Sequence, residues 1–167
     1  MLERLWSGWR STYVSSVGPV GDGGDTRSVF TRILASGLPD DETQIVHRGP
    51  CCFAILNAYP YATGHTLVLP YREVADLEDL TGEETAELWA TVTDVVRAIK
   101  AAYRPGGVNV GINLGQPAGG SVSQHLHVHA VPRWVGDGNF MLAVANTRTL
   151  PEALVDTAAR LRAAWPG

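Results

Sequence analysis

The chain has 167 residues, 45% apolar and 18% charged, which suits one domain with a real core and leaves little room for a second. Thirteen basic residues against 17 acidic ones give a net charge of −4, and Lys100 is the only lysine. That balance lacks the clustered positive charge of a general nucleic-acid or anionic-membrane surface, yet it leaves room for a small anionic substrate held by local donors.

Residues 1–14 carry Leu2, Leu5, Trp6, Trp9 and Tyr13, the content of an amino-terminal arm that docks on its own domain or on a partner subunit. Glu3, Arg4 and Arg10 interrupt any signal peptide, and no run approaches the roughly 20 apolar residues of a membrane span. A soluble, cytoplasmic protein is expected. Residues 15–26 are glycine-rich and read as a flexible linker ahead of a folded domain over 27–167.

A short helix is predicted over 28–36. Residues 44–48 and 52–57 form a hairpin turned at Gly49-Pro50, and the adjacent Cys51 and Cys52 read as reduced thiols. A loop over 57–64, marked by Pro60 and Gly64, leads to a third strand over 65–71 that Pro70 limits. Thr81 and Glu84 make a capping box, and Leu88, Val92, Val95 and Ile99 follow at helical spacing, so a long helix runs to the stop at residues 104–107. A strand over 108–114, a glycine-rich loop over 115–121, and strands over 125–134 and 139–145 follow. A helix over 151–165, capped by Thr149, closes the chain. The sum is an α+β domain built on one mainly antiparallel sheet.

His125, His127 and His129 alternate with Leu126, Val128 and Ala130. On a strand, period two puts the three imidazoles on one face and the apolar residues on the other. Three roles are open to such a trio. It could be structural, each ring satisfied by backbone. It could bind metal through two histidines at i and i+2, roughly 6.5–7 Å apart, with ligands from elsewhere. Or, behind a loop with three glycines and Ser121, it could handle phosphate, one neutral imidazole attacking phosphorus while its neighbours hydrogen-bond the oxygens.

The run His125-Leu126-His127-Val128-His129-Ala130-Val131 resembles the His-x-His-x-His-x-x signature of the histidine triad family, x being apolar. Phe53-Ala54-Ile55-Leu56-Asn57, Gly64-His65 and the segment from Pro60 to Pro70 look like two strands of that family and their connecting loop. Residues 5–13, Pro132-Arg133-Trp134, Gly136-Asp137 and Asn139-Phe140 are similar to one branch, that of bacterial diadenosine tetraphosphate phosphorylases and related dinucleoside polyphosphate hydrolases.

The resemblance implies a single domain with a mainly antiparallel sheet, one long central helix and a carboxy-terminal helix. It implies cleavage of a dinucleoside polyphosphate at the α-phosphorus, His127 being the nucleophile that carries the nucleotide covalently. His129 would bind phosphate and assist the leaving group, and the His125 carbonyl would set the His127 tautomer. Asn57 would hold the ribose, and Phe53 and Ile55 would line the base pocket, with His65 at its edge or supporting the strand. Asn113, Ser121 and the Gly119 and Gly120 amides would contact the phosphates. Gln124 stands just before the triad, where some phosphorylases of the branch have an acidic residue, which leaves water or inorganic phosphate open as acceptor. The resemblance also implies a homodimer or tetramer, an adenine nucleotide or dinucleoside polyphosphate as ligand, and no resident cofactor, a divalent metal at most accompanying the polyphosphate. Many bacterial members hold a structural zinc through a Cys-x-x-Cys pair after the arm; Asp25-Thr26-Arg27-Ser28 stands in that region here.

Overall fold

Five strands are laid down in two blocks separated by a long helix: β1 (Ile45–Arg48), β2 (Cys52–Leu56) and β3 (Thr66–Pro70) before it, β4 (Gly107–Ile112) and β5 (Val128–Arg133) after it. A computed structural model describes residues 26–138 and 151–166 of the chain. The strands form one antiparallel sheet in the order β1-β2-β3-β5-β4, so the last strand inserts between β3 and β4. The helices are α1 (Val29–Ala35), the single turn α2 (Asp40–Thr43), α3 (Gly82–Tyr103) and α4 (Leu154–Ala163).

Alternation along the strands divides the core in two. Val46, Ala54, Leu56, Val68, Leu126, Val128 and Ala130 face α3 and α4, meeting Leu88, Val92, Val95 and Ile99 of α3 and Leu161 of α4. Ile45, Phe53, Ile55, Leu67 and Leu69 lie on the opposite face, where Phe30 of α1 covers them. The capping box starts α3 as its sequence requires: the Thr81 hydroxyl accepts from the Glu84 amide at 3.2 Å, and a Glu84 carboxylate oxygen accepts from the Thr81 amide at 2.8 Å. One turn on, Glu87 accepts the Cys51 and Cys52 amides, tying the β1–β2 hairpin to the helix. Both cysteines are free, and burial, helped by the Glu87 carboxylate, pushes the Cys52 thiol up to about 12.

Three expectations are corrected. The histidine strand starts at Val128, not His125, because the Leu126 amide donates to the Val74 carbonyl at 2.7 Å and pairing with β3 begins only at Val68 and Val128. The alternation of side chains nonetheless persists through 125–127. The closing helix begins at Leu154 after Ala153, with no side-chain cap, rather than at Pro151. The turn α2 carried no recognised signal. The expected arm over 1–14, nearly all of the linker, the strand over 139–145 and the Thr149 cap lie outside the described residues.

Candidate active site

His129 rises from the middle of the sheet, paired with Leu67 of β3 and Gly111 of β4. Gly111 leaves open space beside it, since a Cβ there would meet nothing within 4 Å. The hydrogens on the rings follow from their partners, because a backbone carbonyl only accepts and a backbone amide only donates.

His127 holds Nδ1 at 2.7 Å from the His125 carbonyl, so Nδ1 carries the hydrogen. Its Nε2 is left with a lone pair and has no hydrogen-bond partner among the described residues. His65 is arranged the other way. Its Nδ1 accepts from the Tyr61 amide at 3.1 Å, so the hydrogen sits on Nε2 and is donated to His129 Nδ1 at 3.0 Å. Neutral His129 therefore carries its own hydrogen on Nε2, a buried donor with no partner among the described residues. One ring presents a base and the adjacent ring a donor, with centroids 5.0 Å apart.

The pKa shifts favour the same neutral states. Burial holds the imidazoles of His125 and His127 below the usual histidine value. Burial, followed by the neighbouring His127, takes His129 down to about 4. Phe30 packs against both His125 and His127, and the Tyr61 ring lies parallel over His129.

A cleft of about 920 Å³ opens beside His129, lined among others by Tyr61, Asn109, Asn113, Arg133 and Trp134. That volume suits a nucleotide-sized ligand. Arg133 is held by Asp137 and by Asn109, and Arg160, at the far wall, by Glu152. These guanidinium charges are already paired, which gives neutral donors a large share in meeting an anion.

The sequence candidates divide. His65, His127 and His129 are brought together, with Asn113 on the cleft wall. Ser121 and Gln124 are exposed nearby in sequence, on the loop that leads to the triad. His65 is neither pocket wall nor mere strand support: it is 1% exposed and bonded behind His129. Asn57 is turned inward, its Nδ2 3.3 Å from His65 Nδ1 and its Oδ1 accepting the Tyr59 amide. Phe53 and Ile55 share the histidine face but are 0% and 2% exposed beneath α1, which makes them core rather than pocket lining. The amides of Gly119 and Gly120 donate to the carbonyls of Gln116 and Gly115, so they are spent inside the loop instead of facing a phosphate. Gly120 is needed for space: a Cβ there would stand 3.0 Å from the Gly115 oxygen.

Sequence reading missed Ser28, whose hydroxyl lies 2.7 Å from His125 Nδ1, and Tyr61. A serine at the start of a predicted helix signalled a cap, and nothing local linked it to a residue 97 positions away. Among the described residues, no group of three or more His, Cys, Asp or Glu side chains is placed to hold a metal ion.

The family model of the HIT domain matches residues 39–135, which contain the whole sheet and all three triad histidines. The chain belongs to the HIT family. It is 45% identical to a Mycobacterium tuberculosis protein named AP-4-A phosphorylase, over 98% of this chain and 85% of that one. It is 37% identical to a fission yeast (Schizosaccharomyces pombe) protein named Bis(5'-nucleosyl)-tetraphosphatase [asymmetrical], over 57% of this chain and 52% of the relative. Its HIT fold superimposes on a Hit-like protein from Bartonella henselae, described as involved in cell-cycle regulation, with a TM-score of 0.69 and 27% identity, over 86% of this chain and 99% of the other.

Proposed function

We propose that this HIT protein cleaves dinucleoside polyphosphates such as diadenosine tetraphosphate by nucleotidyl transfer through His127, with inorganic phosphate as the acceptor. The observation that carries the reading is the proton arrangement at the triad. The His125 carbonyl takes the His127 Nδ1 hydrogen, which leaves Nε2 as the nucleophile. Nearly full-length similarity to the mycobacterial AP-4-A phosphorylase supports the substrate class and the acceptor.

In the first step, the Nε2 lone pair attacks the α-phosphorus. An N–P bond forms, the bond from phosphorus to the bridging oxygen breaks, and ATP departs with that electron pair. The positive charge on the His127 ring is stabilised by the hydrogen bond to the His125 carbonyl. His129 Nε2–H donates to the oxygen on which charge grows. In the second step, a phosphate oxygen attacks phosphorus, the N–P bond breaks, and ADP leaves with His127 restored. Asn113, Ser121 and Gln124 are the candidates to hold phosphate. Asn57 can take the ribose hydroxyls if its Oδ1 exchanges the Tyr59 amide for them. No resident cofactor is part of this chemistry, and a divalent metal arrives at most with the polyphosphate. A homodimer is proposed through β4, which ends the sheet with Val110 43% exposed. The proposed setting is the cytoplasm, where the two free thiols stay reduced.

Water as acceptor is the second reading, favoured by Gln124 and by similarity to the yeast tetraphosphatase. Anion-exchange analysis of products from diadenosine tetraphosphate, with and without phosphate, decides between them. ADP plus ATP, formed only when phosphate is present, is expected. AMP plus ATP in both samples establishes the hydrolase, and no cleavage in either removes both readings.

A further inference from the structure

His125 is the triad ring with no role in touching substrate: it is fully buried, and both of its nitrogens are occupied by protein. Its Nε2 lies 2.9 Å from the Pro70 carbonyl and must donate to it. The neutral ring then has a bare Nδ1, so the hydrogen in the 2.7 Å contact with Ser28 comes from the serine hydroxyl. Ser28 is itself 0% exposed and is gripped from three sides. Its amide donates to both Glu73 carboxylate oxygens, at 3.1 and 3.0 Å. Its hydroxyl accepts the Thr31 amide at 3.1 Å. The Thr31 hydroxyl donates to Glu73 at 2.6 Å, which leaves its oxygen facing the Ser28 oxygen at 3.0 Å without a hydrogen to give.

The donors therefore run in one direction, from Thr31 to Glu73 and from Ser28 to His125 and on to Pro70. The charge on Glu73 is kept in place: burial opposes it, yet the Thr31 and Ser28 hydrogen bonds hold the carboxyl below its ordinary range. Residues 125–127 precede β5, so no strand ladder fixes the His125 carbonyl. The ring, pinned at both nitrogens, does that instead, and this carbonyl is what receives the His127 hydrogen.

We propose that Ser28, Thr31 and Glu73 form a hydrogen-bond clamp that fixes the tautomer and orientation of His125 and, through its carbonyl, aims the His127 nucleophile. They are positioning residues, and their catalytic consequence rests on the nucleotidyl-transfer reading above. The clamp joins the helix α1 and the loop after β3 to the triad, so part of the active-site geometry is set by side chains that never meet substrate.

The test uses the full chain, with imidazole nitrogen shifts read by long-range proton–nitrogen NMR beside kcat, KM and thermal midpoint. Wild type should show His125 as the Nε2–H tautomer and His127 as the Nδ1–H tautomer. Ser28→Ala and the isosteric Thr31→Val should turn one or both signals into mixtures, and kcat should fall about 10–100-fold while KM moves little. Thr31→Ser, which keeps the hydroxyl, should restore both the tautomers and the rate. Thr31→Val guards against Ser28→Ala simply failing to fold. Unchanged tautomers in Thr31→Val, with any loss of rate tracking a lower thermal midpoint, overturn the clamp. The NMR readout needs no turnover, so a protein inert towards every polyphosphate would sink the functional reading while leaving the clamp decided by the spectra.

Discussion

One hydrogen on each imidazole separates a reactive triad from three buried rings. His127 needs a bare Nε2, and protonation at low pH would fill it. Because burial holds its pKa below 6.5, the lone pair survives mild acid. The acid limb of kcat/KM, which reports the free enzyme, is expected below pH 6.5, and a limb above that value would contradict the assignment. Stability has the same sign. The triad imidazoles take up protons more readily when unfolded, so their contribution is complete above about 6.5. It is lost as the pH falls from there towards about 4, the folded value for His129. Urea midpoints should drop between pH 7 and pH 5. At this scale the sequence was only partly legible. Alternation identified the rings that share a face, and the family resemblance supplied the His125 carbonyl as partner of His127. The bond between His65 and His129, and the inward turn of Asn57, depend on loop geometry that no spacing encodes.

At the level of elements, legibility followed the range of the interaction responsible. Helix α3 was readable because Thr81 and Glu84 act across one turn and its apolar stripe repeats locally. The start of β5 was not, because a hydrogen bond from Leu126 to Val74, 52 residues earlier in the chain, removes the first residues from the ladder. The glycine loop was found, but its purpose was misjudged. Its amides hold the loop together, and Gly120 is required because the Gly115 and Asn113 carbonyls stand 3.0 and 3.3 Å from where a Cβ would go. Gly120→Ala should therefore cost about 1–3 kcal/mol in urea unfolding. Gly111→Ala, with no atom within 4 Å of the added carbon, is the comparison and should cost less than half as much. Equal costs would show that the loop relaxes freely.

Across the whole molecule, the two sheet edges are treated differently. The β1 edge is blunted by a β-bulge and by Arg162, which donates to the Ile45 carbonyl. The β4 edge keeps Val110 exposed, the condition for pairing with a second copy. Val110→Lys should shift the protein towards monomer in sedimentation velocity, and an unchanged mass would remove β4 as the interface. The central claim is that the sheet, α1 and the loop after β3 hold His127 so that Nε2 alone becomes nucleotidylated. The direct measurement is mass spectrometry of peptides from enzyme mixed with diadenosine tetraphosphate without phosphate and quenched in alkali, where the phosphorus–nitrogen bond survives. One added AMP on His127, absent from His127→Asn and discharged as ADP when phosphate precedes the quench, is the predicted result. An adduct on another residue, or cleavage by His127→Asn at the wild-type rate, would contradict it.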